Sequence, residues 1–121
     1  MKIFGIGVDI VENNRFKKLI KKKRFISRIC SPKEIDNFKK KNNKISYLSK
    51  RFSAKEALFK ALGIHNKLSF LDVEVRNNMS GLPNFRIKGN SLKNLKFIYL
   101  FRMMIHGLSL RLSYLYMTNL C

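Results

Sequence analysis

Acidic residues are scarce in this sequence, which has seven Asp and Glu against 26 Lys and Arg and a formal charge of +19. None of the seven lies beyond Glu74. So large an excess of positive charge favours an acidic partner or substrate, which it would attract electrostatically. A second interpretation is codon bias, because an A/T-rich genome enriches Lys, Asn, Ile and Phe. The charge therefore supports a function without defining one.

Cysteine is also rare, and long apolar runs are missing. The two cysteines, Cys30 and Cys121, lie far apart and form no metal-spaced pair, which favours a reduced cytosolic compartment. Asp9 interrupts the first apolar segment before a signal-peptide core can form, and no apolar run approaches membrane-spanning length. We therefore expect a cytoplasmic protein that does not enter a membrane. Its 121 residues, of which 45% are apolar, predict a single domain with a modest core.

The first quarter of the chain has the patterns of a strand and a helix. Residues 3–11 are apolar and rich in β-branched side chains, which predicts a buried strand with Asp9 near its end. Residues 12–23 place Phe16 and other apolar side chains at helical spacing, with lysines on the opposite face.

Two further helices are indicated by their end signals. Ser31, Pro32 and Glu34 form a capping-box pattern, which begins a helix that runs toward a basic stretch. The longest periodic segment spans residues 45–62, and Gly63 follows it at the position where glycine commonly ends a helix.

The remaining pattern is that of a hairpin. Residues 70–76 alternate as a strand, residues 77–81 have turn chemistry, and residues 83–88 read as the returning strand. The order of strand, helices and strands predicts an α+β fold.

Three charged residues point to chemistry. Asp9 ends an apolar strand, where a carboxylate is costly unless it is paired, caps a helix or binds a cation. Glu56 and Lys60 lie four residues apart on one helical face, where the simplest alternative is a surface ion pair of little energetic value. Small and apolar neighbours indicate that this helix is packed from several sides. Two carboxylates and a lysine would suit a magnesium-dependent phosphoryl transfer, in which positioning and charge neutralisation supply most of the catalysis.

Two segments carry a resemblance to a known family. The sequence Ile-Gly-Val-Asp-Ile-Val-Glu at residues 6–12, followed by Arg15, resembles the opening motif of the holo-acyl-carrier-protein synthases. The sequence Arg-Phe-Ser-Ala-Lys-Glu-Ala at residues 51–57, followed by Lys60, resembles their central signature. The resemblance covers residues 1–89 in order and spacing, and both motifs at the expected separation make it specific. It implies a 4′-phosphopantetheinyl transferase-like fold, with an antiparallel sheet packed on a long central helix.

The resemblance also implies roles for individual residues. Asp9 and Glu56 match the family's magnesium ligands, and Lys60 matches the lysine beside the pyrophosphate of coenzyme A. Arg51 matches a position near bound coenzyme A. A second group matches the basic surface that receives the acyl carrier protein: Arg15, Arg24 and Arg28.

The implied reaction transfers 4′-phosphopantetheine from coenzyme A to a carrier serine and releases 3′,5′-adenosine bisphosphate. Glu56 or a metal-bound water would accept the proton, and the sequence does not choose between them. The family is typically a homotrimer with active sites shared between subunits. Both substrates are anionic, which gives the positive charge of this chain a specific use.

The last thirty residues depart from the family. Residues 97–121 mix Met, Leu, Tyr and Ser without a clean period of either kind, so we expect a sheet that lacks its closing strands and exposes an edge. His106 is expected to be a surface or loop residue. A reading-frame shift is one hypothesis for this divergent tail (residues 91–121): if the Arg102 codon ends in G, a one-base shift reads Asp-Asp across Met103 and Met104.

Two other functions remain open from the sequence. One is an inactive remnant of the same enzyme, with the metal and phosphate residues in place but poor stability or assembly. The other is a small basic nucleic-acid-binding protein, which the charge and four interleaved aromatic residues support: Phe16, Phe25, Phe38 and Phe52. The sequence carries no recognised nucleic-acid-binding motif, so we expect no nucleic-acid partner.

Overall fold

The structure is a computed structural model that describes residues 3–63, 67–81, 83–89, 95–103 and 110–119. Strand β1 and four helices come first along the chain: β1 (Ile3–Glu12), α1 (Asn13–Leu19), α2 (Lys23–Ile29), α3 (Pro32–Lys40) and α4 (Lys44–Leu62). A short 3₁₀ turn and four strands follow: the turn (Phe70–Asp72), β2 (Val73–Asn77), β3 (Pro83–Ile87), β4 (Leu95–Met103) and β5 (Leu110–Asn119).

The strands form two antiparallel sheets. One has the order β1-β5-β4, and the other is the β2-β3 hairpin. Helix α4 contacts β1, β5 and β2 as well as α1 and α3. The predicted α+β fold, with an antiparallel sheet on a long central helix, is therefore confirmed.

Helix α4 lies at the centre of the fold because apolar side chains on different faces of the helix pack into two separate clusters. Leu48 packs into a cluster with residues of α1, α2 and α3, and Leu58 packs into a second cluster with β2 and β3. The four aromatic residues that supported nucleic-acid binding belong to the first cluster, where Phe16 and Phe38 are buried and Phe25 and Phe52 pack against it. Their helical spacing reflects core packing, so they do not form a stacking surface for bases.

The helix predicted over residues 12–23 is wrong in its length. Helix α1 ends at Leu19, and the separate helix α2 begins at Lys23. The break coincides with a run of four basic residues, 21–24, which contains nothing apolar to bury. The turn lets Phe25 of α2 approach Phe16 of α1, with ring centroids 6.4 Å apart in an edge-on arrangement.

The other helix ends and the hairpin agree with the sequence patterns. Ser31 caps α3 by accepting a hydrogen bond from the Glu34 amide, while the Glu34 side chain accepts one from the Ser31 amide. Gly63 follows α4 with a positive φ of 78°, a conformation that glycine adopts without steric cost. The first strand of the hairpin begins later than predicted, at Val73, because the three residues before it form the 3₁₀ turn.

The prediction that the tail leaves the sheet without closing strands is wrong. Strand β5 pairs with β1 over nearly its full length, with Gly7 opposite Leu115 and Asp9 opposite Ser113, and β4 pairs with the other edge of β5. A ladder of backbone hydrogen bonds does not need strict side-chain alternation, and the tail is rich in aromatic residues, which favour strands. His106 lies outside the described residues.

The sequence also predicts that the protein does not enter a membrane. Within the described parts of the chain, no helix combines the length and the apolar character needed to cross a bilayer.

Candidate active site

Strand β1 lies directly against the backbone of helix α4. A Cβ atom on Gly7 would lie 1.7 Å from the Ala57 carbonyl oxygen and 2.9 Å from the Ala61 amide nitrogen. Real Cβ atoms do not approach other atoms so closely, so only glycine allows this contact. Ala57 and Ala61 are themselves small, which keeps the helix surface flat where the strand crosses it. Asp9 lies two residues beyond Gly7, and side chains two apart in a strand share one face.

Asp9 is consequently held against α4. It is 7% exposed, and its Oδ1 accepts a hydrogen bond from Lys60 Nζ at 2.8 Å. The other carboxylate oxygen, Oδ2, is buried and has no hydrogen-bond partner among the described residues. A buried carboxylate oxygen without a partner is costly, and a bound cation would remove that cost.

Glu56 brings a second carboxylate to the same place. Its side chain is half-buried, and its pKa is raised above the ordinary range, first by burial and then by the nearby negative charge of Asp9. The Lys60 ammonium opposes this shift. The structure therefore brings Asp9, Glu56 and Lys60 together, as the motif spacing predicts. The Lys60 ammonium pairs with Asp9 on β1, although the four-residue spacing in the sequence predicts a pair with Glu56 on the same helix.

The donor set fits a hard cation. Asp9 and Glu56 repel one another while both are ionised, and the partnerless Oδ2 of Asp9 is an additional ligand atom. Magnesium is commonly held by only one or two carboxylates together with water and substrate oxygens. Among the described residues there is no group of three or more His, Cys, Asp or Glu side chains arranged to hold a metal. A site of this kind would therefore depend on substrate oxygens to complete the coordination.

Arg51 lies two and a half turns before Lys60 on α4, on the order of 13 Å away along the helix axis. It is buried, and its guanidinium carbon lies 4.2 Å from the centroid of the Tyr47 ring, which is a cation–π contact. The guanidinium Nε is buried, and no group in the described part of the chain accepts a hydrogen bond from it. Burial raises the pKa of Tyr47, and the Arg51 charge partly opposes that shift. Arg51 thus retains an unused donor.

Arg51 lines two cavities. One, of about 330 Å³, lies between α3, α4 and β2, and further cations at its wall are Lys33, Lys41 and Arg76. The second, of about 110 Å³, lies between α4 and the β2-β3 hairpin, where Asn77, Gly81 and Pro83 contribute. A polar, cationic recess with an unused buried donor is suited to an anionic ligand.

The three arginines predicted to meet the carrier protein are Arg15 on α1 and Arg24 and Arg28 on α2. All three side chains are exposed. They are therefore available to a partner, and they belong to neither the Asp9–Glu56–Lys60 cluster nor the Arg51 cavities.

Sequence reasoning missed two charged residues beside the site. Lys55 is 0% exposed and Glu34 is 1% exposed, and the two form an ion pair of 2.7 Å. Glu34 stands out in the sequence only as a capping residue. Lys55 could have been found from its place inside the run Ser53-Ala54-Lys55, since a lysine among small residues on a packed helix needs a buried partner.

Comparisons with known proteins agree with this architecture. A family model for the 4′-phosphopantetheinyl transferase superfamily matches residues 5–104. A holo-[acyl-carrier-protein] synthase of Pelagibacter ubique is 48% identical over 98 residues, which are 79% of this chain and 77% of that protein. The crystal structure of a holo-(acyl-carrier-protein) synthase from Bacillus anthracis in complex with CoA (3′,5′-ADP) is 30% identical and superposes with a TM-score of 0.78, covering 97% of both chains. The synthase structure from Neisseria meningitidis is 29% identical with a TM-score of 0.81, covering 98% of this chain and 100% of that one.

The fold and these matches define an α+β phosphopantetheinyl transferase. Within that superfamily, the chain belongs to the holo-[acyl-carrier-protein] synthase family. The family expected from the two sequence motifs is thereby confirmed.

Proposed function

We propose that this protein transfers 4′-phosphopantetheine from coenzyme A to a serine of an apo acyl carrier protein, with Mg²⁺ as cofactor. The observation that supports this most strongly is the convergence of Asp9, Glu56 and Lys60, which come from β1 and α4. The relatives that this chain resembles are synthases of holo acyl carrier protein, and one of their structures contains coenzyme A.

The Arg51 cavities are the proposed place for coenzyme A. The molecule carries a pyrophosphate and a 3′-phosphate. Arg51 offers a buried donor, and Lys33 and Lys41 add positive charge at the wall, where Arg76 is paired with Glu74. Lys60 is half exposed, with a side-chain accessibility of 52%, so its ammonium can reach a phosphate oxygen as well as Asp9.

In the proposed reaction the serine oxygen attacks the β-phosphorus of coenzyme A. A new phosphorus–oxygen bond forms to serine, the bond from the β-phosphorus to the bridging oxygen breaks, and 3′,5′-adenosine bisphosphate leaves with that oxygen. Glu56 is one candidate for the serine proton, because burial and the charge of Asp9 raise its pKa and so increase its proton affinity. A water molecule is the other candidate.

Magnesium would be held by Asp9 and Glu56. When bound, it supplies charge neutralisation for the phosphate oxygens. The buried Oδ2 of Asp9 and the mutual repulsion of the two carboxylates support this assignment.

The exposed residues Arg15, Arg24 and Arg28 are the proposed docking surface for the acidic carrier protein. Like-signed charges spread over two neighbouring helices would accelerate encounter with an acidic partner and make binding sensitive to salt.

A homotrimer is the proposed assembly. The outer face of β1 supports it, because three large apolar side chains remain exposed there: Ile6 at 53%, Val8 at 37% and Ile10 at 59%. A contiguous apolar strip on a sheet face is typical of a protein–protein contact.

Mass spectrometry of an apo carrier protein incubated with this protein, coenzyme A and Mg²⁺ tests the proposal. A mass gain of one phosphopantetheine is expected. Asp9→Asn and Glu56→Gln should each lower the transfer rate by at least about 100-fold, since each removes a ligand charge from the reacting centre. Asp36→Asn is the matched control, because Asp36 is exposed on α3, and it should leave the rate unchanged. A folded wild-type protein that transfers nothing would contradict the proposal.

A further inference from the structure

The buried pair of Lys55 and Glu34 forms hydrogen bonds with groups in several different elements of the fold. The Lys55 ammonium donates to the Ile29 carbonyl at 2.6 Å, to Glu34 Oε2 at 2.7 Å and to the Phe70 carbonyl at 3.1 Å. Three acceptors use all three protons of the ammonium group. Lys55 thereby joins α4 to the end of α2, to α3 and to the 3₁₀ turn.

Glu34 extends the same network in the other direction. Its Oε2 also accepts from the Ser31 amide and its Oε1 accepts from the Val75 amide, both at 2.8 Å. Its backbone carbonyl accepts from the Tyr47 hydroxyl at 3.1 Å. The pair therefore connects α2, α3, α4, the 3₁₀ turn and β2 through side chains that water does not reach.

The network lies between the two parts of the proposed active site. Glu34 and Tyr47 form part of the wall of the larger cavity, and the Tyr47 ring supports the guanidinium of Arg51. Lys55 lies one turn after Arg51 and one residue before Glu56 on α4, and successive helical residues differ in direction by about 100°. The Lys55 ammonium meets its three acceptors at one rotation of α4 about its axis. That rotation also fixes the direction in which the Glu56 side chain leaves the helix.

We propose that Lys55 and Glu34 are a positioning pair, which fixes the rotation and depth of α4 so that Arg51 and Glu56 keep a set relation across the site. The inference rests on the proposed function. Lys55 lines neither Arg51 cavity, whereas Glu34 is part of the wall of the larger one; in this inference both act through the residues that they orient. A rotation of α4 that moves Glu56 by about 1 Å would be enough to cost up to about 100-fold in rate.

Steady-state kinetics and calorimetric binding of coenzyme A on Glu34→Gln test the inference. Gln has the shape of Glu and keeps an oxygen for Lys55, but its NH₂ group cannot accept from a backbone amide. Measured at a temperature where denaturant titration shows the variant to be folded, kcat should fall and both KM and Kd for coenzyme A should rise by about tenfold or more per folded molecule. Asp36→Asn on the same helix is the matched control, with unchanged constants.

A second variant keeps the test independent of one substitution. Lys55→Met retains a long side chain but removes the ammonium, and Lys44→Met, near the start of the same helix, is its control. The double variant Lys55→Met/Glu34→Gln should lose less than the sum of the two single losses, because the first change already disrupts the pair.

Two failures can be told apart. If the wild type transfers nothing to a carrier protein, the proposed function is wrong. If the wild type is active and both variants are less stable but have wild-type kcat, KM and Kd per folded molecule, the pair supports only folding, and the positioning inference is overturned.

Discussion

Lys60 shows how burial decides which carboxylate a lysine binds. The spacing of Glu56 and Lys60 places them within reach on one helical face, yet the ammonium donates to Asp9. Asp9 is the more buried of the two carboxylates, and a buried charge gains more from a partner than a half-buried one. The presence of all three groups at one place could be predicted from the motifs, because β1 and α4 were both recognisable. Their pairing could not, since it depends on the depth at which the strand crosses the helix.

Cys30 gives a prediction about a single side chain. Burial raises its pKa to about 12, and the neighbouring Glu34 charge adds to the shift while Lys55 and Arg51 oppose it. Because only the thiolate reacts with alkylating agents, iodoacetamide at pH 8 should modify Cys30 at least about 100-fold more slowly in the native protein than in denaturant. Peptide mass spectrometry reads each cysteine separately. Equal rates in the two conditions would show that the thiol is accessible in the native fold.

The helices differ in how far their sequences determine their ends. Helix α3 was predictable at its start, because Ser31, Pro32 and Glu34 form a local capping pattern that needs nothing from the rest of the chain. The break between α1 and α2 was not, because no glycine or proline marks it; the chain turns at a run of basic residues, and Phe25 then packs against Phe16. A helix end set by a local capping pattern can be predicted from sequence, whereas a turn without such a pattern cannot.

The cap of α3 can be tested by substitution. Ser31→Ala removes the acceptor for the Glu34 amide and should lower the free energy of unfolding by about 0.5–2 kcal/mol, as measured by urea titration. The matched control is Ser27→Ala, because the Ser27 hydroxyl is exposed and donates only to the Arg24 carbonyl within its own helix. Equal losses in the two variants would mean that the capping box contributes nothing specific.

The exposed apolar face of β1 makes the assembly testable. Ile6→Lys combined with Ile10→Lys places two charges on this face, and we expect sedimentation to shift from a trimer to the 14.2 kDa monomer. Leu71→Lys is the matched control, because Leu71 is 44% exposed in the 3₁₀ turn rather than on the sheet. A wild type that sediments as a monomer, or a double variant that remains a trimer, would contradict the proposed assembly.

The tail marks the limit of prediction from sequence. Residues 95–103 and 110–119 complete the sheet through backbone pairing, which tolerates many side-chain sequences and therefore leaves little periodicity to recognise. The match to the family model ends at Met104, close to the Met103-Met104 pair on which the frame-shift hypothesis depends. That hypothesis stays a prediction: the nucleotides around Tyr99 should show whether a one-base shift restores an Asp-Asp segment.

The contact between Gly7 and Ala57 affects the entropy cost of binding a cation at Asp9 and Glu56. Two backbones touch there with no side chain between them, so no compressible layer separates the strand from the helix. Asp9 and Glu56 are anchored on those two backbones within a few residues of the contact. Folding therefore fixes the separation of the two carboxylates. A cation would bind to a preorganised site, and its binding would cost little further conformational entropy.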